Sequence, residues 1–181
     1  MIRCKKSKKN RVGFTLLEMV LVLAIMVMIS AYLMSTFKIV NISHLRVATV
    51  NDMHDYASLN LRAIENSLCN ATVIQAADSD HTIKCKANDP YIKKDSGNLL
   101  GSFQQYGSGT DSGKWLITLT FKTHPASKTV DVTISFKDNN SPSSGVVYSD
   151  TKTVYCPACT NMADLGTAGS NQISYSLEPQ E

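Results

Sequence analysis

The sequence feature that most limits what this chain can fold into is an apolar run near its N-terminus. Residues 14–37 contain one charged side chain, Glu18, and the next charge is Lys38. A helix rises about 1.5 Å per residue and needs roughly 20 residues to cross a hydrocarbon core of about 30 Å. The run is therefore long enough to span a bilayer and predicts a single-pass membrane segment.

Basic residues are concentrated just before this run. Six of the 18 Lys and Arg residues lie within residues 3–11, and no acidic residue precedes Glu18. Because positively charged flanks stay in the cytoplasm, we expect an inner-membrane protein with residues 1–13 inside and the chain after about Lys38 outside. Without the basic tract, 12 basic residues face 15 acidic ones. The net charge of +3 is therefore not the footprint of a nucleic-acid-binding face.

Two common kinds of segment compete with this interpretation of the apolar run. A cleaved secretory signal has an apolar core of about 7 to 15 residues and a small-x-small cleavage site. Here the core is longer, and Ser30-Ala31-Tyr32 is a poor cleavage site. An uncleaved signal anchor remains open. Neither alternative explains Glu18, since an ionisable group in a membrane helix is costly and calls for a partner or a function.

The residues around Glu18 resemble a known N-terminal signal. Residues 8–18, KKNRVGFTLLE, followed by an uninterrupted apolar stretch, are similar to the leader and mature N-terminus of type IV prepilins and related pseudopilins. The segment combines a short basic leader, a glycine before the scissile bond, a phenylalanine after it and a glutamate at the fifth mature position. The resemblance covers about the first 30 residues.

This resemblance implies a maturation pathway and a set of partners. A prepilin peptidase would cut between Gly13 and Phe14 on the cytoplasmic side, and the new Phe14 amine would be N-methylated. The subunit would sit in membrane lipid until an assembly platform packs it with other pilin or pseudopilin subunits. The product would be an extracellular pilus, or a pseudopilus of a type II secretion or DNA-uptake apparatus.

Glu18 has two interpretations within this scheme. Cutting after Gly13 leaves a cationic amine on Phe14, and Glu18 of one subunit can neutralise that amine on a neighbouring parallel helix. Alternatively, Glu18 only favours the positive end of the helix dipole, by a fraction of a kcal/mol. The prepilin-like pattern favours a role in assembly.

The sequence departs from many pilins at one position. They carry a proline about 22 residues into the mature chain, whereas here the first proline is Pro90. Without it the helix has no proline kink, although Ser35 and Thr36 can bend a helix weakly by bonding back to carbonyls.

Beyond His44 the helical pattern continues with a single apolar face. Its members recur at spacings of three and four: Val50, Met53, Ala57, Leu61, Ile64, Leu68 and Ala71. Polar residues such as Asn60 lie largely off this stripe. The pattern predicts a helix whose first part, residues 14–37, is in lipid or a fibre core and whose second part, residues 38–77, packs on a soluble domain.

The C-terminal part, residues 78–181, changes to a period of two. Alternating residues from Trp115 to Phe121 and from Val130 to Phe136 predict two antiparallel strands, residues 146–155 a third and residues around Tyr175 a fourth. We expect an α+β, pilin-like fold with a long N-terminal helix on an antiparallel sheet of about four strands. Glycine- and serine-rich residues 78–114 are expected to be a surface connection.

Five cysteines become four if Cys4 leaves with the leader. An even count in an exported domain suggests disulfides, and four cysteines allow three pairings. The preferred pairs are Cys69 with Cys85 and Cys156 with Cys159. A four-cysteine zinc site, which lacks a second C-x-x-C, and thiols that stay reduced are the alternatives.

The sequence contains none of the common catalytic motifs. Its four histidines belong to no H-E-x-x-H array, and there is no G-x-S-x-G and no phosphate-binding G-x-x-x-x-G-K-[ST]. The cluster Asp138-Asn139-Asn140 lacks the spacing of a calcium loop and predicts a polar turn. We therefore expect a structural subunit without enzymatic activity, cofactor or metal; a signal-anchored binding or adhesion domain is the alternative of another class.

Overall fold

The computed structural model describes residues 15–76, 80–85, 91–103, 114–140 and 145–177. The chain divides into two compact units, Met1–Leu45 and Arg46–Glu181. Within the described residues the first unit consists of helix, and the second contains the rest of that helix and two β-sheets.

The long helix α1 spans Leu16–Leu68 and has no break at the position where many pilins carry proline. Three hydroxyl side chains bond back to its own carbonyls: Ser30 to Met26 at 2.8 Å, and Ser35 and Thr36 to Tyr32 at 2.9 and 3.0 Å. These bonds give each hydroxyl group a hydrogen-bond acceptor within the helix itself. The apolar stretch can therefore contain these Ser and Thr residues. The helix ends one residue before the predicted range.

The predicted apolar face of α1 forms part of the core of the second unit. Its buried residues are Met53, Tyr56, Ala57, Asn60, Leu61, Ile64 and Leu68. One residue corrects the prediction: Asn60 was placed off the stripe but is fully buried. Its amide donates to the Tyr56 carbonyl at 2.8 Å, whereas its side-chain oxygen Oδ1 has no hydrogen-bond partner.

Three long strands confirm the period-of-two pattern. β5 (Trp115–His124), β6 (Thr129–Asp138) and β7 (Val146–Tyr155) form an antiparallel sheet in the order β5-β6-β7. A 3₁₀ turn, Pro125–Ser127, joins the first two, with Lys128 in the left-handed conformation at φ 53°. Alternate residues point into the core, and Phe121 and Phe136 are fully buried as predicted, while Trp115 is half-buried.

The fourth predicted strand belongs to a second, six-stranded sheet. That sheet has the order β4-β3-β2-β9-β1-β8, with β1 at Val73–Gln75, β2 at His81–Lys84, β3 at Lys93–Lys94, β4 at Gly97–Asn98, β8 at Asn161–Met162 and β9 at Gln172–Ser176. Its pairs are antiparallel except β1 with β8, which is parallel. Strands of two to five residues are too short to show a period, so the sequence predicted only β9.

The glycine- and serine-rich connection is also corrected in part. β2, β3 and β4 lie within residues 78–114, and four described side chains from it are buried in the core: Ile83, Cys85, Ile92 and Phe103. The Phe103 ring packs edge-on against Tyr56 of α1 and tilted against Phe136 of β6. The described part of this segment therefore contributes to the core rather than running over the surface.

A tight crossing joins the two sheets. Phe121 of β5 and Ser170, before β9, exchange two backbone hydrogen bonds of 2.7 and 2.8 Å. The residue that allows this approach is Gly169, at φ +75°, because a Cβ there would lie 2.7 Å from both the Phe121 carbonyl oxygen and the Thr120 methyl group.

Candidate functional site: the N-terminal helix and the cysteines

Glu18 lies in the first turn of α1, where Thr15 caps the helix. The backbone N–H of Glu18 donates to the Thr15 hydroxyl at 3.3 Å, and the first helical bond runs from Met19 N–H to the Thr15 carbonyl. Thr15-Leu16-Leu17-Glu18 thus has the residue pattern of a capping box, in which Ser or Thr is followed three positions later by Glu or Gln. Gly13 and Phe14, the predicted cleavage and methylation site, lie outside the described residues.

The rest of the N-terminal part of α1 presents hydrocarbon on all sides. All residues of 15–45 are exposed, and none of residues 19–37 is charged. The described residues contain one helix long and apolar enough to cross a membrane, judged by length and composition. An exposed apolar helix of this length needs either lipid or other protein around it, because exposing that much apolar surface to water costs free energy.

The C-terminal part of α1 is held against β7 by polar contacts. His54 Nδ1 lies 2.8 Å from the hydroxyl of Tyr148, and the Lys152 ammonium lies 2.6 Å from the Glu65 carboxylate. Both side chains of the ion pair are more than a third exposed, so water screens the pair and it contributes about 1 kcal/mol at most. These contacts show that His54 of the helix lies beside Tyr148 of the strand, and Glu65 beside Lys152.

The four described cysteines are present as thiols, so the structure contains neither of the preferred disulfides. Cys85 lies at one end of β9, where its backbone N–H donates to Asn171 and its thiol to the Ile117 carbonyl. Cys69 belongs to the last turn of α1, and the chain after it pairs with the other end of β9, where Thr72 N–H donates to Ser176. The structure thus associates the two cysteines with opposite ends of a strand.

Cys156 and Cys159 close a tight turn after β7. The Cys159 N–H donates to the Cys156 carbonyl at 3.1 Å, and the Cys159 thiol donates to the Asn161 carbonyl at 3.3 Å. Both side chains are buried, whereas Cys69 is partly exposed. The turn brings these two thiols near each other, as the sequence predicted, although they are not bonded.

Burial dominates the acidity of these thiols. Together with the charges of Cys159 and then Cys69, it raises the pKa of Cys156 to about 11. Burial also raises the pKa of Cys159, partly opposed by backbone N–H groups of Asn161 and Ile74 and by the Lys128 charge. At neutral pH both thiols are protonated and slow to react as nucleophiles. An electrostatic influence of Cys69 on Cys156 was not indicated by the sequence.

The remaining polar clusters connect strands and turns. His124 Nε2 lies 2.9 Å from the Asp131 carboxylate, which also accepts from the Thr153 hydroxyl at 2.6 Å. Hydrogen bonds from Thr153 and then His124 lower the pKa of Asp131. Asp138 accepts from the Asn140 N–H at 2.9 Å, which makes it part of a turn, as predicted. Among the described residues no group of three or more His, Cys, Asp or Glu side chains is placed to hold a metal ion.

Comparisons with known proteins leave the family open. No protein-family model and no curated protein matches the sequence. Among solved structures the chain is similar to the minor pilin PilB from Streptococcus sanguinis, at 11% sequence identity and a TM-score of 0.44. The match covers 67% of this chain and 33% of that chain, so this chain spans about a third of the length of the solved protein. A likeness of this size identifies neither family nor function.

Proposed function

We propose that this chain is a non-enzymatic subunit of a type IV pilus or pseudopilus, cleaved between Gly13 and Phe14 and assembled through α1. The observation that carries the proposal is the N-terminal part of α1, which exposes apolar side chains on every side directly after a prepilin-like segment. Such a surface suits lipid before assembly and the packed helices of a fibre core afterwards. The pseudopilus of a secretion or DNA-uptake apparatus needs the same surface.

The pathway that follows from this proposal has three steps. The basic leader stays in the cytoplasm while α1 spans the inner membrane and the second unit lies outside. Prepilin peptidase then removes residues 1–13 and the Phe14 amine is methylated. A membrane assembly platform finally moves the subunit from lipid into the fibre, where it contacts other pilin or pseudopilin subunits.

Within the proposed fibre, the Glu18 carboxylate pairs with the Phe14 amine of a neighbouring subunit. A separate role at the same turn is the cap, which the Thr15 hydroxyl makes with the backbone N–H of Glu18 and whose loss costs about 0.5 to 2 kcal/mol. Loss of the partner of a poorly solvated charge costs about 3 to 5 kcal/mol. The two roles therefore differ both in size and in the chemical group that they need.

Three substitutions separate the charge from the cap. Glu18→Gln and Glu18→Ala both remove the charge and keep the capping hydroxyl with its backbone donor, whereas Thr15→Val removes the capping hydroxyl but keeps the charge. We expect Glu18→Gln and Glu18→Ala to insert and be cut normally yet to be lost from sheared extracellular fibres. Thr15→Val should retain a substantial fraction of assembly.

The measurement compares sheared and membrane-bound protein in cells that carry one variant as their sole copy, with the mass of the membrane-bound form as a control for cleavage. If Glu18→Gln enters fibres at the wild-type ratio, charge pairing is excluded. For a subunit of low abundance, the number of fibres per cell replaces the sheared amount.

N-terminal sequencing of the cell-derived protein tests processing independently. The proposal expects a chain that begins at Phe14 and carries a methylated amine. An intact Met1 on the surface-exposed protein would instead identify a signal-anchored binding or adhesion domain that does not polymerise.

A further inference from the structure

The end of α1 and the end of β7 are each followed directly by a cysteine, Cys69 and Cys156. Two contacts show how the helix runs along the strand: His54 with Tyr148, and further on Glu65 with Lys152. From His54 to Cys69 the helix advances about 22 Å, at 1.5 Å for each of 15 residues. From Tyr148 to Cys156 the strand advances about 26 Å, at 3.3 Å for each of eight residues. The two cysteines therefore lie at similar distances from the His54–Tyr148 contact, one along the helix and the other along the strand.

The chain that follows each cysteine gives an independent indication. Thr72, three residues after Cys69, accepts a backbone hydrogen bond of 2.8 Å from Thr160, four residues after Cys156. β1 and β8 then continue side by side in parallel, beginning with Val73 opposite Asn161. The segments that contain the two cysteines are thus joined on both sides, by side chains before them and by backbone after them.

The electrostatics of the thiols agree with this placement. The Cys156 thiol is affected by the charge of Cys159 in the same turn and, to a smaller extent, by that of Cys69. The Cys159 thiol is engaged in a hydrogen bond to the Asn161 carbonyl at 3.3 Å. Of the two cysteines whose charges affect Cys156, Cys69 is the one that follows a different element, α1.

Exposure decides which of the three thiols at this end of the fold an oxidant can reach. Cys156 is 0% exposed and Cys159 is 2% exposed, whereas Cys69 is partly exposed at the end of the helix. Thiol–disulfide exchange requires the attacking sulfur to contact a sulfur of the incoming disulfide. Only Cys69 of these three meets that requirement without opening of the fold.

We propose that Cys69 and Cys156 are a redox pair that closes as a disulfide between the end of α1 and the end of β7, with Cys69 as the thiol that the oxidant reaches. The oxidant is an external disulfide, either of a small thiol or of a protein oxidant. The Cys69 thiolate attacks one of its sulfurs, its S–S bond breaks, and one thiolate leaves. Cys156 then loses its proton to solvent and attacks the Cys69 sulfur, which expels the second thiolate. Two protein thiols are oxidised, and the external disulfide is reduced to two thiols that take up the two protons.

This pairing replaces both pairs that the sequence favoured. It leaves Cys159 as a thiol beside Asn161 and Cys85 as a thiol near β5. It also joins residues 87 positions apart in the chain, so it links the helix to the three-stranded sheet covalently, which neither of the favoured pairs does.

The test maps disulfides in the full chain, extracted in mild detergent and carrying Cys4→Ser so that the leader adds no thiol. The reduced protein is oxidised with glutathione disulfide, quenched with acid, alkylated and digested without reduction. Peptide fragmentation between Cys156 and Cys159 identifies the sulfur that is bonded. We expect a crosslink between Cys69 and Cys156, retained in the matched variants Cys159→Ser and Cys85→Ser and lost in Cys156→Ser.

A rate measurement tests the order of the two steps. Without Cys69 the buried thiols have no accessible partner, so Cys69→Ser should consume glutathione disulfide at least tenfold more slowly than the wild type. Circular dichroism of each variant checks that it is folded, and the wild-type map needs no variant. A Cys156–Cys159 or Cys69–Cys85 crosslink in the wild type, or four alkylated thiols after complete equilibration, would overturn the proposal.

Discussion

Single residues in this protein have roles that their type does not reveal. Glu18 illustrates this, because its position five residues into the proposed mature chain suggests pairing with an amine, while its spacing from Thr15 also matches a capping box. The pattern T-x-x-E was visible in the sequence and would have indicated the cap. The charge belongs to the Glu18 carboxylate and the observed cap to the Thr15 hydroxyl, so substitutions at the two positions measure the two roles separately.

Glycine positions allow a sharper prediction at this scale. Gly169 and Gly166 have similar dihedral angles, φ +75° and φ +73°, but a Cβ at Gly169 would collide with Phe121 and Thr120, whereas a Cβ at Gly166 meets nothing within 4 Å. Gly166→Ala should therefore cost about 1 kcal/mol for backbone strain alone. Gly169→Ala should cost at least about 2 kcal/mol, because the crossing between the sheets must shift as well.

Chemical denaturation of the full chain in detergent measures the free energy of unfolding of each variant. Gly145→Ala is the matched control, since its Cβ also meets nothing within 4 Å and its φ is not in the left-handed region. Equal losses for Gly169→Ala and Gly166→Ala would show that close packing at the crossing contributes nothing.

Secondary-structure elements show where local pattern ends and packing begins. α1 and the three long strands have a clear period, because each repeats its apolar residues for ten positions or more. The short strands of the six-stranded sheet have no such repeat and form only because neighbouring backbones pair with them. β1, for example, pairs with β9 on one side and β8 on the other.

The buried face of α1 contains one polar residue that should be replaceable. Asn60 is fully buried and its Oδ1 has no hydrogen-bond partner, so its burial costs free energy that its single amide bond does not recover. We expect Asn60→Leu, a change to an apolar side chain of similar volume, to leave the free energy of unfolding unchanged or to raise it by about 1 kcal/mol.

Leu61→Ala on the same face is the control, and it should lower the free energy of unfolding by about 2 to 4 kcal/mol through loss of buried apolar volume. Thermal or chemical unfolding of both variants measures the difference. A loss above about 2 kcal/mol for Asn60→Leu would mean that the amide stabilises the fold.

At the scale of the whole molecule, the chain combines a part suited to an apolar environment with a part suited to water. Residues 16–45 expose their apolar side chains, whereas the apolar face of the same helix in the second unit is buried. The combination follows from one helix whose composition changes along its length. The proposed maturation acts on the apolar part, and the proposed disulfide acts on the other.

Processing can be tested at this scale with a single substitution. A peptidase that accepts Gly13 through a narrow site is crowded by a branched side chain, so Gly13→Val should accumulate as a precursor. That precursor should be about 1.4 kDa heavier than the mature chain, since 13 of 181 residues with a total mass of 19.8 kDa are retained. Mass spectrometry of the membrane fraction measures this, and maturation of Gly13→Val at the normal rate would place the scissile bond elsewhere.

The sequence by itself determined what depends on neighbours along the chain. A run of apolar residues predicted the exposed helix, and periods of 3.6 and two predicted α1, β5, β6 and β7, because both signals arise within a few consecutive residues. The α+β class follows from these elements and is confirmed. The four cysteines were also evident, and the turn Cys156–Cys159 was predicted to bring two of them together.

Only the tertiary structure decided what depends on residues far apart in sequence. It assigned β9 to a second sheet, buried Asn60 and Ile92, and joined the segments that follow Cys69 and Cys156 by a backbone hydrogen bond between Thr160 and Thr72. The physical reason is that strand pairing and core packing are selected by the fit of surfaces between elements. Spacing along the chain limits which residues can meet but does not choose among them. The cysteine pairs that spacing favoured, Cys69 with Cys85 and Cys156 with Cys159, are accordingly not bonded in the structure.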